Sequence, residues 1–188
     1  FFWIADEGDF MLQMLRSFDT DLSWSTVTAN RDLKVVRELL MHPMLLPGFN
    51  DSGAHLTNMA FYDGNLRSLK LAHENNEDSD VAYMVKRLTK DAAEVFGVSG
   101  GSIYENEKAD LILVDPNELK KYDGEKHVAR VFREEFNHEQ LVNRSDNVVP
   151  LVIIGGHVAW EDEKFSKDLG QEQFGELLKS KISSNLND

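Results

Sequence analysis

Hydrophobic residues in the first half of the chain recur mainly three or four positions apart, which is the spacing of one helix face. These stripes predict helices over about 31–42 and 65–74 and a pair of helices between 80 and 96, after a shorter helix near 10–15. Small polar residues that can accept backbone N–H groups stand before three of the helices. The expected N-caps are Asn30, Ser79 and Thr89.

Two shorter segments have the pattern of β-strands. Residues 22–29 alternate apolar and polar positions, and residues 44–49 form an apolar run that ends in the polar loop 50–55. The order strand, helix, strand, loop indicates the βαβ unit of a parallel sheet, where active groups lie beyond the carboxyl ends of the strands. We therefore expect Asp51 to lie at the end of a buried strand.

The pattern changes after the small-residue run 99–102, which we interpret as a linker. Residues 109–115 have the composition of a strand, and Pro116 with Asn117 indicates a turn after it. Two apolar runs, 148–154 and 157–160, flank a pair of glycines and predict a tight hairpin. His157 and Trp160 in this hairpin are interpreted as packing residues rather than ligands.

The last apolar stripe predicts a helix. Phe174, Leu177, Leu178 and Ile182 lie at helical spacing, so we expect an amphipathic helix from about Gln171 that docks on its own domain. With the linker, this predicts two domains, residues 1–98 and residues 99–188.

Composition narrows the class of partner. Lys and Arg total 20 against 33 Asp and Glu, giving a net charge of -13, and such a surface repels phosphate backbones and anionic lipid. We therefore expect no nucleic acid partner. Since no run approaches 18 apolar residues, we also expect no membrane-spanning segment. The absence of cysteine suits the cytoplasm. Because the chain opens on Phe1 and not on methionine, we expect it to be part of a longer protein.

Several motifs occur in an ordered series along the chain. The run Pro47–His55 reads PGFNDSGAH, and a stretch of 15 residues, Val148–Asp162, reads as strand, glycine turn and second strand. Between them stand, in order, Leu88-Thr89, Ala92-Ala93, Phe96-Gly97, Gly101-Ser102-Ile103 and Ala109-Asp110-Leu111-Ile112-Leu113-Val114-Asp115-Pro116. This series, over roughly residues 30–170, resembles the D-aminoacylase and N-acyl-D-amino-acid deacylase branch of the amidohydrolase superfamily.

The resemblance implies an α/β fold. Residues 1–98 would be terminal βα units of a metal-dependent-hydrolase TIM-like barrel, (β/α)8, and residues 99–188 strands of a small β-sandwich with a C-terminal helix. It also implies that one or two divalent metals, usually zinc, activate a water, and that Asp51 handles its proton. The implied substrate is a small-molecule N-acyl-D-amino acid, whose amide is hydrolysed.

The metal ligands of that family are missing. Its first motif, His-x-His, is absent, and Asp51 is the one residue here that we consider as a metal ligand. The histidines are His42, His55, His73, His127, His138 and His157. Since a full barrel needs about 250 residues, only its last two strands are expected. The chain alone is therefore expected to bind no metal and to be inactive.

Polar neighbours of Asp51 are the other site candidates. Asn50, Ser52 and His55 are assigned to substrate binding. The alternative is structural, because Asp-Ser-Gly is a favourable turn sequence and a loop histidine is more often a hydrogen-bonding group. Asn58 and Asp63 could line the site, but solvating a loop is the simpler role for each.

Two further interpretations stay open. The chain could be a non-catalytic fragment or degenerate homologue that acts in association, and homo-oligomers are left open because exposed sheet edges favour pairing. It could also be a cyclic amidohydrolase of the hydantoinase or dihydroorotase kind, although the Asp-Ser-Gly-Ala-His context favours the deacylase branch.

Overall fold

The computed structural model of the chain describes residues 6–22, 29–48, 60–75, 77–143 and 147–181. The described part is a mixture of helices and small antiparallel sheets. Its helices are α1 (Glu7–Phe18), α2 (Leu33–Met41), α3 (Gly64–His73), α4 (Asp78–Leu88), α5 (Lys90–Phe96) and α6 (Pro116–Lys121). Its strands are β1 (Leu111–Leu113), β2 (Val128–Arg133), β3 (His138–Asn143), β4 (Leu151–Ile154), β5 (His157–Glu161) and β6 (Lys164–Phe165). None of its helices is long and apolar enough to cross a membrane.

The contacts divide the chain into two compact units, Phe1–Val36 and Arg37–Asp188. The predicted domain boundary between residues 98 and 99 is at a different place and stays a prediction.

In the first unit, α1 begins where the Asp6 side chain accepts a hydrogen bond of 2.8 Å from the backbone N–H of Asp9. This is the capping arrangement that satisfies a free N–H in the first turn.

The predicted helices are confirmed as α1 to α5, but Asn30 and Ser79 are not N-caps, and Thr89 stands at the predicted N-cap of α5 without a side-chain cap hydrogen bond. Asn30 has a left-handed φ of 59°, and Asp32 caps α2 by accepting from the N–H groups of Lys34 and Val35. Neither α4 nor α5 has a side-chain cap, and the Thr89 hydroxyl donates instead to the carbonyl of Val85.

The predicted strand at 44–49 is wrong over residues 44–48, which form a turn and irregular chain, and Phe49 lies outside the described residues. Pro43 and Pro47 cannot donate to a sheet. Met44, expected to be buried, is 83% exposed. The other predicted strand of the first half falls on residues 22–29, of which 23–28 are not described. The barrel fragment therefore stays a prediction.

The core of the second unit lies where helices α3, α4 and α6 meet the start of the sheet. Ala72 and Met84 are fully buried, and Leu119 and Val148 are nearly so. Apolar burial of this kind stabilises the arrangement by roughly 25 cal/mol per Å². Val85, the residue after Met84 on α4, is 45% exposed although the stripe predicted it to face inward.

The larger sheet has the order β1-β4-β5-β6, with every pair antiparallel. The predicted hairpin is confirmed as β4 and β5, and its turn uses Gly155 and Gly156 at φ values of 56° and 84°. The turn predicted at Pro116 is instead the start of α6. Asp115 caps this helix by accepting from two backbone N–H groups, and proline fits its first turn because no N–H is needed there.

The second sheet is a hairpin of β2 and β3 that we did not predict. The C-terminal helix predicted from Gln171 is wrong as far as residue 181, because residues 173–180 have no regular structure. Phe174 stacks on His157 at 4.9 Å between ring centroids, and Gly175 lies 3.4 Å from Ile154, measured from an ideal Cβ. The segment thus packs on the β4–β5 hairpin without forming a helix.

Candidate functional site

The residues with predicted catalytic, substrate-binding or metal roles, Asn50, Asp51, Ser52 and His55, lie outside the described residues, as does Asn58. The described chain borders them at Gly48 and Ala60. The described residues nearest to them in the chain are those on the upstream flank, which includes Leu45, and on the downstream flank, which includes Asp63. The contacts of these two flanks are described below.

The downstream flank is held by Asp63, which ends a 3-10 turn (Ala60–Asp63) directly before α3. Its Oδ2 accepts hydrogen bonds from Arg67 Nε at 2.7 Å, Tyr122 Oη at 2.7 Å and Asn143 Nδ2 at 3.3 Å. The residue is only 8% exposed. The expectation that it solvates a loop is therefore wrong, because three protein donors take the place of water.

These donors come from separate parts of the second unit, namely α3, the end of α6 and β3. We call Asp63, Arg67, Tyr122, Gly124 and Asn143 the Asp63 cluster. Asn143 Nδ2 also donates to the carbonyl of Gly124 at 2.8 Å. A Cβ on Gly124 would overlap Oδ2 of Asp63 and lie 2.5 Å from Arg67 Nη2, so any larger residue here would displace these two side chains.

Tyr122 is almost fully buried, at 2% exposed. Its ring stacks on His127 with centroids 5.6 Å apart and planes 6° apart. Burial, followed by the hydrogen bond to Asp63, raises the pKa of Tyr122 well above its ordinary value of 10.0. The phenol is therefore protonated and donates to the carboxylate. The same carboxylate raises the pKa of Arg67.

The upstream flank is held from α4 by what we call the Arg87 cluster. Arg87 Nη2 donates to the carbonyl of Leu45, and Nη1 donates to Asp91 at 2.9 Å. Lys86 donates to the other oxygen of Asp91 at 2.6 Å. The hydrogen bonds from Lys86 and Arg87 lower the pKa of Asp91. The guanidinium also lies 5.9 Å from the ring centroid of Tyr83, in cation–π range.

A separate cavity of about 370 Å³ is acidic. Its lining residues are Asp115, Glu118, Asn147, Pro150, Asp162 and Glu163. Across the described ranges, no group of three or more His, Asp or Glu side chains is arranged to hold a metal ion. The residues that the structure describes therefore do not fit a divalent metal.

The histidine and tryptophan of the β4–β5 hairpin do pack as expected. His157 stacks on Phe174, and Trp160 meets Phe165 edge to face with centroids 4.8 Å apart. The indole Nε1 of Trp160 donates to the carbonyl of Val149 at 3.1 Å. Elsewhere, both ring nitrogens of His73 are buried without a hydrogen-bond partner among the described residues.

The sequence is similar to mycobacterial proteins. It is 30% identical to an uncharacterized protein of Mycobacterium bovis and to uncharacterized proteins from two strains of Mycobacterium tuberculosis, each over 94% of this chain. The chain spans 30% of the length of these curated relatives. No family model matches the chain, and no solved structure matches it.

Proposed function

We propose that this chain carries the proton-transfer aspartate, Asp51, of a cytoplasmic amidohydrolase that cleaves the linear amide of an N-acyl-D-amino acid. The proposal includes the fold implied by the resemblance. Residues 1–98 would belong to the end of a (β/α)8 barrel, and residues 99–188 to a small sandwich.

The observation that carries the proposal is the run Pro47–His55 followed, in order, by the later family-like segments. Two features of the structure support it. The run is bordered by two attached points, Leu45 on Arg87 and Asp63 on its cluster. The second half also contains the strand β1 and the β4–β5 hairpin, where the resemblance expects sandwich strands.

In the proposed reaction, a water oxygen forms a bond to the amide carbonyl carbon while Asp51 accepts a proton from that water. The C–N bond then breaks, and Asp51 returns the proton to the leaving amine. The products are a carboxylic acid, which gives its remaining proton to the freed amine or to water, and a D-amino acid, and Asp51 ends in its starting state. A carboxylate can serve as both base and acid when it lies within hydrogen-bond reach of each oxygen and nitrogen in turn.

Asn50, Ser52 and His55 would orient the substrate by hydrogen bonds. A divalent metal such as zinc, when bound, would make the attacking water more acidic and polarise the carbonyl. Since the described residues do not fit a metal, its ligands are expected from other parts of the protein.

The test is an assay of the protein expressed from its complete coding sequence. We expect N-acyl-D-amino acids to be hydrolysed, their L-enantiomers to be poor substrates, and a chelator to abolish activity until zinc is returned. Equal activity with and without chelator would remove the metal-dependent mechanism.

The same assay separates the alternatives. Opening of a hydantoin or dihydroorotate ring, with no deacylation, would favour a cyclic amidohydrolase. Failure to hydrolyse any of these substrates would favour a non-catalytic protein that acts in association.

A further inference from the structure

We propose that residues 173–181 form a strap that closes over the β4–β5 turn, and that this strap opens as a unit while the rest of the second unit stays folded. Its closure requires a glycine at position 155. The strap has no regular structure and extends from the hairpin to the end of α5. The proposal rests on contacts between described residues and does not depend on the proposed function.

The first end of the strap lies on the β4–β5 turn. The ring of Phe174 stacks on His157 with centroids 4.9 Å apart and planes 18° apart. An ideal Cβ on Gly175 lies 3.4 Å from Cγ2 of Ile154. The carbonyl oxygen of Phe174 is so close to the turn that a Cβ on Gly155 would lie 2.2 Å from it. The strap backbone therefore occupies the space that a side chain at position 155 would need.

Polar contacts hold the rest of the strap. The carboxylate of Glu176 pairs with Lys108 Nζ at 2.5 Å. The backbone N–H of Lys181 donates at 2.9 Å to the carbonyl of Gly97, the residue that caps the end of α5. The strap thus joins the hairpin of the larger sheet to a helix that lies far from it in the sequence.

The closed strap has few buried groups. Phe174 is half-buried, and the other eight strap residues are exposed. The side chain of Glu176 is 65% exposed, and an ion pair at such a position adds little to stability. Segments with few buried apolar contacts open at a lower free energy than the core does. We therefore expect the strap to detach, uncovering His157 and Ile154, before the core around Met84 unfolds.

The turn and the strap make opposite demands on the two glycines of the hairpin. Gly155 and Gly156 both have a left-handed φ, and Asn followed by Gly is a preferred pair in a two-residue turn with two such residues. The turn alone therefore predicts that Gly155→Asn is milder than Gly156→Asn. Strap closure predicts the reverse, because no described residue lies within 4 Å of a Cβ at Gly156.

The experiment compares wild type, Gly155→Asn and Gly156→Asn in the complete protein by cleavage with chymotrypsin under native conditions. Cleavage after Phe174 or Leu177, identified by mass spectrometry, measures opening of the strap, because a closed segment must detach before it fits a protease. Cleavage after Leu119, which is 3% exposed, measures opening of the core in the same samples.

We expect cleavage within the strap to be about tenfold faster in Gly155→Asn than in wild type, since the cleavage rate follows the population of the open form. In Gly156→Asn it should stay within about twofold of wild type. Cleavage after Leu119 should be unchanged in both. Strap cleavage that is no faster in Gly155→Asn than in Gly156→Asn would overturn the proposal, as would an equal increase after Leu119.

A disulfide between strap and hairpin tests the same closure without changing the turn. Ile154 and Gly175 are close enough for a disulfide, and Gly175 has no left-handed φ that a cysteine would strain. We expect oxidation of Ile154→Cys with Gly175→Cys to join the two residues and to slow strap cleavage at least about tenfold, with reduction restoring it.

The two single-cysteine variants are the matched controls, and oxidation should leave their strap cleavage unchanged. Failure of the paired cysteines to form the disulfide would overturn the closed position of the strap. A disulfide that forms but leaves strap cleavage unchanged would overturn its opening as a unit.

Discussion

At the scale of single residues, some contacts of Asp63 can be predicted from the sequence and others cannot. Its ion pair with Arg67 is a helical i,i+4 pair that a reader of the sequence can find. Its bonds to Tyr122 and Asn143 join residues far apart in the chain, so no local pattern indicates them. A loop aspartate was therefore predicted to be solvated, and the tertiary structure buries it.

The raised pKa of Tyr122 predicts a pH-dependent stability. A tyrosinate is less favourable in the buried cluster than in the unfolded chain. The stability from protonated Tyr122 is thus fully present below the ordinary pKa of 10.0 and is lost as pH rises from there through the higher folded pKa. Tyr122→Phe has no such ionisation.

Urea unfolding of both proteins checks this prediction. The difference in unfolding free energy between wild type and Tyr122→Phe should be constant from about pH 7 to pH 9, and should shift in favour of the variant near pH 11. Tyr104→Phe, at an exposed site, controls for the other tyrosines. A difference that stays constant up to about pH 11 would contradict the burial of this hydroxyl beside Asp63.

At the scale of elements, hydrophobic spacing predicted the helices well and their caps poorly. A stripe of apolar residues extends over several turns, so α2 to α5 could be found without knowing their partners. A cap depends on one residue's backbone angles, and the left-handed conformation of Asn30 moved this role to Asp32. The β2–β3 hairpin was missed because half of its strand residues are polar and its first strand is mostly exposed, so no clear apolar run indicates it.

The C-terminal segment allows a direct test of irregular against helical structure. In the structure Phe174 packs on His157, whereas Leu177 is 80% exposed. In the helix predicted from the sequence, both side chains would lie on one buried face. We expect Phe174→Ala to lower the unfolding free energy by about 1 kcal/mol and Leu177→Ala to leave it nearly unchanged.

Thermal and urea unfolding of the two alanine variants measure this difference. Each variant removes one large apolar side chain from the same segment, so they serve as controls for each other. Similar losses for the two would indicate that the segment docks as an amphipathic helix and would contradict the irregular structure described here.

At the scale of the whole molecule, the sequence and the structure provide different information about the proposed site. The site residues come from the order of motifs, and the described structure supplies the attachments on either side of them. Chemistry could be predicted because Asp51 lies in a distinctive run. The attachments could not, because they depend on contacts between α3, α4, α6 and β3 that form only when the second unit folds.

The central claim is that Asp51 transfers the proton, and Asp51→Asn tests it most directly. Asp78→Asn is the matched control, since Asp78 is exposed in the first turn of α4. In the complete, zinc-loaded protein, kcat for an N-acyl-D-amino acid should fall at least about a hundredfold in Asp51→Asn, with melting temperature and KM near wild type. Asp78→Asn should behave as wild type. A kcat for Asp51→Asn within about twofold of wild type would contradict the account.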